Sequence, residues 1–167
     1  MRRVWALLLV LPSIATLGSK IACGGPGPVS DCGSKVPAEA QRVFDDLVSA
    51  YRSANAKSIV GLMDRGADAR LYMKLQDVPP APYASEQALG ILENTYFKKH
   101  TVTALTETKD CPKGEGASFT RSYLLTTKTE TAESSEHLSV RVHRIDGKDK
   151  TSVWVLESLE STLIPRK

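Results

Sequence analysis

The chain has 167 residues, of which 41% are hydrophobic and 25% charged, a balance that suits one packed domain and argues against wholesale disorder. A net charge of +3 and a pI near 8.8 invite a nucleic-acid reading, but the excess sits in the wrong place. Arg2, Arg3 and Lys20 lie in residues 1–22, which hold no acid; 22 less 3 leaves 19 basic residues against 19 acidic ones, with no Lys/Arg run to track phosphates.

The chain begins as an export signal. Arg2-Arg3 precedes the apolar run Val4–Leu17, which contains Pro12 and falls short of the ~20 residues a membrane helix needs. Small residues follow at Gly18, Ser19 and Ala22, so residues 1–22 are predicted to be a cleaved signal peptide. Export makes cysteines candidates for bridges, and three is an odd number. Ile21-Ala22-Cys23 resembles the end of a bacterial lipobox, with Lys20 where an aliphatic residue is usual. That resemblance implies lipidation of Cys23, and Cys32 and Cys111 then remain as an expected disulfide pair. The alternative is cleavage near Gly18 or Ala15, giving a soluble protein with a spare thiol. The expected location is the periplasm or outer membrane as a lipoprotein, otherwise secretion. Residues 23–36, rich in Gly, Pro and Ser, read as a flexible tether. They lack the preceding strand and the G-K-[ST] ending of a phosphate loop. Residues 37–167 are expected to form the folded domain.

Pro37 suits the first turn of a helix running to about Asn55, with Ala40, Val43, Phe44, Leu47, Val48 and Tyr51 on one stripe. Ala56–Met63 predicts a second, short helix. Ala69–Leu75 alternates as a half-buried strand, with Leu71, Met73 and Leu75 on one face. Gln76–Pro82 carries Pro79, Pro80 and Pro82 and reads as a stiff loop. Ser85 is the expected N-cap of an amphipathic helix whose inner stripe is Ala88, Leu89, Leu92 and Tyr96, flanked by Ile91 and Phe97. Lys98, Lys99 and His100 are expected to close it as cations at the negative end of the helix dipole.

Four strands are predicted next, over Thr101–Lys109, Ala117–Thr129, Glu136–Ile145 and Thr151–Ile164, joined by short turns that imply an antiparallel meander. Strict alternation puts Arg121 beside Phe119, Tyr123 and Leu125. It also puts Glu157 beside Val153, Val155, Leu159 and Leu163, with Trp154, Leu156 and Ile164 on the outer face. Arg121 and Glu157 are therefore the charges expected among apolar neighbours, where a charge needs a partner. His137 and His143 fall on a solvated face with Ser139 and Arg141. The sequence holds no H-x-x-x-H, C-x-x-C or G-x-S-x-G motif, so no metal, cofactor or catalytic residue is assigned.

The order of elements, with ASEQALGILENTYFKKH entering the meander and WVLESLESTLI ending it, resembles the nuclear transport factor 2-like (cystatin-like) superfamily. The nearest resemblance is to a small uncharacterised bacterial family of exported domains. It implies an α+β fold, α-α-β-α-β-β-β-β, with helices packed on a curved antiparallel sheet forming a cone. Relatives use the cone as an enzyme site, a ligand pocket or plain core. The signal, the tether, the neutral domain and the absent catalytic motif lead to the expectation of a non-enzymatic domain binding a small ligand or a protein partner at the cell envelope, with Tyr96, Arg121, Tyr123 and Glu157 as contact candidates. A pocket enzyme of isomerase, dehydratase or hydrolase type would instead draw on Tyr51, Asp64 or Asp68, and Glu157. A third expectation is a homodimer through the outer sheet face, on Trp154 and Leu156.

Overall fold

The computed structural model describes residues 36–146 and 151–165. The predicted leader, Cys23, Cys32, the predicted tether up to residue 35 and residues 147–150, where a turn is expected, lie outside the described residues. Cys111 is a disulfide cysteine.

Helix α1 (Ala38–Arg52) follows Pro37 and buries Ala40, Val43, Phe44, Leu47, Ala50 and Tyr51, the expected stripe. α2 (Ala56–Val60) is held at its start by Asn55, whose side chain accepts the Ser58 N–H at 3.0 Å. β1 (Leu71–Lys74) alternates as predicted. The proline-rich stretch is not all loop. Ala81–Tyr83 forms β2, an edge strand antiparallel to β1, with Pro82 opposite Tyr72. A proline is tolerated there because an edge position leaves one backbone side without a partner strand.

α3 (Ser85–Ile91) runs into a π-helical turn (Leu92–Tyr96) and a last α-helical turn, α4 (Phe97–Lys99). Ser85 is the first helical residue, not the cap; the Gln87 side chain accepts the Ala84 N–H at 3.1 Å. The π turn has a packing consequence. Residues spaced by four drift about 40° per step around an α-helix, and a wider turn takes up that drift. Ala88, Leu92, Tyr96 and His100 consequently all face inward, each at most 1% exposed. His100 is thus a core residue rather than a solvent-facing cation at the helix end.

β3 (Thr101–Glu107), β4 (Ser118–Lys128), β5 (Glu133–Asp146) and β6 (Ser152–Leu163) form the expected meander. The sheet order is β2-β1-β6-β5-β4-β3, and β1 lies parallel to β6, so the sheet is mixed rather than wholly antiparallel. The helices pack on its inner face.

One irregularity changes the expected faces. Arg141 pairs with Ser158 but Val142 pairs with Leu156, so Glu157 is the extra residue of a β-bulge. The bulge reverses the phase of β6. Trp154 and Leu156 oppose Arg144 and Val142 on the inner face and are 8% and 2% exposed, whereas Val153 is 56% exposed. The expected apolar outer face built on Trp154 and Leu156 therefore does not exist. The exposed apolar residues on that face are instead Leu124 and Val153, at 40% and 56% exposure.

Phe44 has no exposed surface and lies 5.0 Å beneath the Arg121 guanidinium. Phe44→Ala is expected to lower the unfolding free energy by about 3–5 kcal/mol. Urea denaturation followed by circular dichroism checks this; a loss below 1 kcal/mol would mean that Phe44 is not central to the core.

Candidate functional site

The four ligand-contact candidates do not converge. Arg121 and Tyr123 stand together on the inner face of β4. Arg121 pairs with Glu107 at 3.1 Å, donates to the Gln41 side chain and caps the Phe44 ring. Its partner is thus β3's Glu107 and not Glu157. Glu157 leaves the core through the bulge and sits near Arg141 at 3.4 Å and His143 at 3.7 Å on the outer face. Asp64 accepts the Gly66 N–H at 3.1 Å in a turn, the ordinary work of a turn aspartate.

Tyr96 lies elsewhere, in the most closed polar cluster of the described residues. Tyr51 and Tyr96 meet edge to face with centroids 6.3 Å apart, Phe97 completes the group at 5.7 and 5.2 Å, and His100 stacks on Tyr96 at 5.1 Å. Glu136, at 0% exposure, heads the inner face of β5 and accepts from Thr127 Oγ1 at 3.4 Å. Thr127 lies 3.0 Å from Ser134, which donates to Gln76 at 3.4 Å. His100 Nε2 lies 3.3 Å from Asp77, which also pairs with Lys99 at 3.5 Å.

This network is satisfied only on its outer side. Tyr51 Oη, Tyr96 Oη, Glu136 Oε2 and His100 Nδ1 are all buried without a hydrogen-bond partner. Burial pushes the Tyr51 phenol well up, with Tyr96 and Glu136 adding to the rise; burial and then Glu136 do the same to Tyr96. Both phenols are therefore neutral donors at any physiological pH. The two phenols, the Glu136 carboxyl group and the His100 imidazole together form a closed polar group that is almost wholly buried. Among the described residues no three His, Cys, Asp or Glu are placed to hold a metal, and no helix is long and apolar enough to cross a membrane.

No protein-family model matches the chain. No curated protein matches it either. Solved structures do. A DUF4783 family protein from Bacteroides uniformis aligns with a TM-score of 0.53 at 11% identity, covering 73% of this chain and 97% of its own. An NTF2-like protein from Cytophaga hutchinsonii aligns at 0.51 and 12% identity, covering 74% and 94%. The chain has the nuclear transport factor 2-like fold. A ketosteroid isomerase-like protein from Erwinia carotovora atroseptica shares it, with a TM-score of 0.57 at 8% identity, covering 77% and 96%. In this nuclear transport factor 2-like fold the tyrosine–glutamate cluster lies where the helices meet the inner face of the sheet.

Glu136 and His100 escaped the sequence reading, although the signal for each was present. Glu136 has the same parity as Leu138, Val140 and Val142, and His100 continues the four-residue ladder from Ala88.

The tyrosines set an alkaline limit on stability. Burial raises Tyr123 to about 12, partly offset by Arg121, and Tyr51 and Tyr96 are raised as well. A phenol whose folded pKa lies above its unfolded value stabilises the fold fully below the unfolded pKa. That contribution is lost as pH rises through the folded value. The urea midpoint is expected to fall from about pH 10 upward, less steeply in Tyr96→Phe. An equal slope in the variant would mean that Tyr96 is not a titrating core group.

Proposed function

We propose that this chain is an exported, lipid-anchored, non-enzymatic binding domain of the bacterial cell envelope. Its ligand is a small polar molecule, or the polar group of a protein partner, held among Tyr51, Tyr96, His100 and Glu136. One observation carries the site: Tyr51 Oη, Tyr96 Oη, His100 Nδ1 and Glu136 Oε2 are buried in one region without hydrogen-bond partners. Each such atom costs about 1–3 kcal/mol when left unpaired, and buried groups of this kind belong where a bound molecule completes them. Export is supported by the arginines and apolar run of residues 1–22, anchoring by the lipobox-like Ile21-Ala22-Cys23, and periplasmic or outer-membrane placement by the tether behind it. A Cys32–Cys111 bridge fits that oxidising location.

The test is native mass spectrometry of the protein purified from its host's envelope, beside the stability of Tyr96→Phe. A co-purified small molecule, lost from Glu136→Gln, is expected. Tyr96→Phe is expected to raise stability by about 1 kcal/mol, because it removes an unpaired hydroxyl. A ligand-free protein together with a destabilised Tyr96→Phe would show a plain core. For the anchor, the mature chain in the membrane fraction should begin at Cys23 and carry lipid mass; a start at Ser19 without lipid would remove the anchor.

A second reading has a specific observation in its favour. Glu136 is a carboxyl group in a dry interior beside two neutral phenols, and Asp77 orients His100 from outside. That set suits acid–base chemistry of the isomerase or dehydratase kind, with a tyrosine polarising an oxygen and Glu136 or His100 taking a proton. The fold shared with the ketosteroid isomerase-like protein is compatible with it.

A further inference from the structure

A different part of the molecule offers a second site, independent of the interior cluster. β3 ends the sheet of the described residues, so one of its backbone edges has no partner strand among them. The register shows which groups face outward. Glu107 opposes Tyr123, and the Thr108 N–H bonds Ser122 O at 3.0 Å. In an antiparallel ladder the hydrogen-bonded residues alternate, so Thr106 and Thr108 point at β4 while Leu105 and Glu107 point away. The Arg52 guanidinium confirms the direction, donating to Leu105 O from the free side at 2.9 Å.

Two grooves run along this edge. One, of about 610 Å³, lies between α1 and β3–β4 and is lined by Asp45, Ser49, Arg52, Leu105, Glu107 and Tyr123. The other, of about 310 Å³, continues past Arg52 along Val102–Thr106. The larger groove is electrically polar along its length. Asp45 and Glu107 stand toward one end, each spending a carboxylate oxygen on Gln41 or Arg121. Arg52 stands two helical turns further on, about 10 Å along α1.

We propose that this groove binds a short free-ended peptide as an added strand on β3. The peptide runs antiparallel to β3, exchanging backbone hydrogen bonds with Leu105 and Glu107. Its terminal ammonium lies at Asp45 and Glu107 and its terminal carboxylate at Arg52. Three or four residues span that separation at about 3.4 Å each. Arg52 keeps Leu105 O with one nitrogen and offers the rest of its fork to the carboxylate.

The probe is free-ended tetra-alanine, titrated into the isotope-labelled full chain and followed by amide NMR. Shifts are expected at Leu105 and Glu107, and either N-acetylation or C-amidation should weaken binding by about tenfold or more. In R52M the acid and amide forms should bind equally, and in D45N the acetylated and free forms should converge; both residues are exposed, so folding survives. Shifts that avoid β3, no binding at millimolar peptide, blocked peptides bound within tenfold of the free one, or an R52M protein still preferring the free acid would each overturn the proposal.

Discussion

The contact between Tyr51 and Tyr96 governs how the rest of the interior is arranged. Tyr51 comes from the last turn of α1 and Tyr96 from the π turn of the long helix, and their rings meet edge to face with Phe97 against both. Such pairs contribute about 0.5–1.5 kcal/mol each beyond the area they bury. The geometric consequence matters more. The rings touch because Tyr51 at the end of α1 and Tyr96 of the long helix both point into the same interior. That placement buries Phe44 and Leu47 under β4 and β5, and it carries two phenolic oxygens toward Glu136.

The same packing creates a tension. Glu136 and His100 each satisfy one polar atom at the periphery, through Thr127 and Asp77, and hold the other inside without a partner. A half-satisfied polar network is worse for stability than apolar residues of equal volume. A sequence tuned only for stability would place leucine or phenylalanine at these positions. Among the described residues, four of the six buried polar atoms without a partner fall in this region, the other two being Arg121 Nε and His143 Nδ1.

Much of this was legible in the residues. The stripes of α1 and the long helix, the four strands of the meander and the inward face of β4 follow from periods of 3.6 and 2. Two features broke those periods. The π turn kept a spacing of four in phase, so His100 went inside although two lysines before it looked like a solvated helix end. Strict alternation in β6 failed at Trp154-Val155-Leu156. Three consecutive apolar residues cannot all share one face, and a phase change near Glu157 was their only signal. Arg121 was placed on the correct face, but its partner depended on the register of β3 against β4, which the sequence does not encode locally.

The bulge at Glu157 also links the outer face of the sheet to the interior site. A bulge bends its strand and sharpens the local twist. Immediately after it, Ser158, Leu159 and Glu160 of β6 take up Tyr72, Met73 and Lys74 of β1 in parallel. β1 then turns into β2 through a tight connection in which Asp77 adopts φ +63, a left-handed conformation that aspartate tolerates better than most side chains. That turn brings the Asp77 carboxylate to His100 Nε2, directing Nδ1 toward the interior. Arg141 and His143 flank Glu157 on the outer face, at 3.4 and 3.7 Å. The orientation of a buried imidazole is in this way tied, through one strand pairing and one turn, to a charge cluster on the opposite face of the sheet.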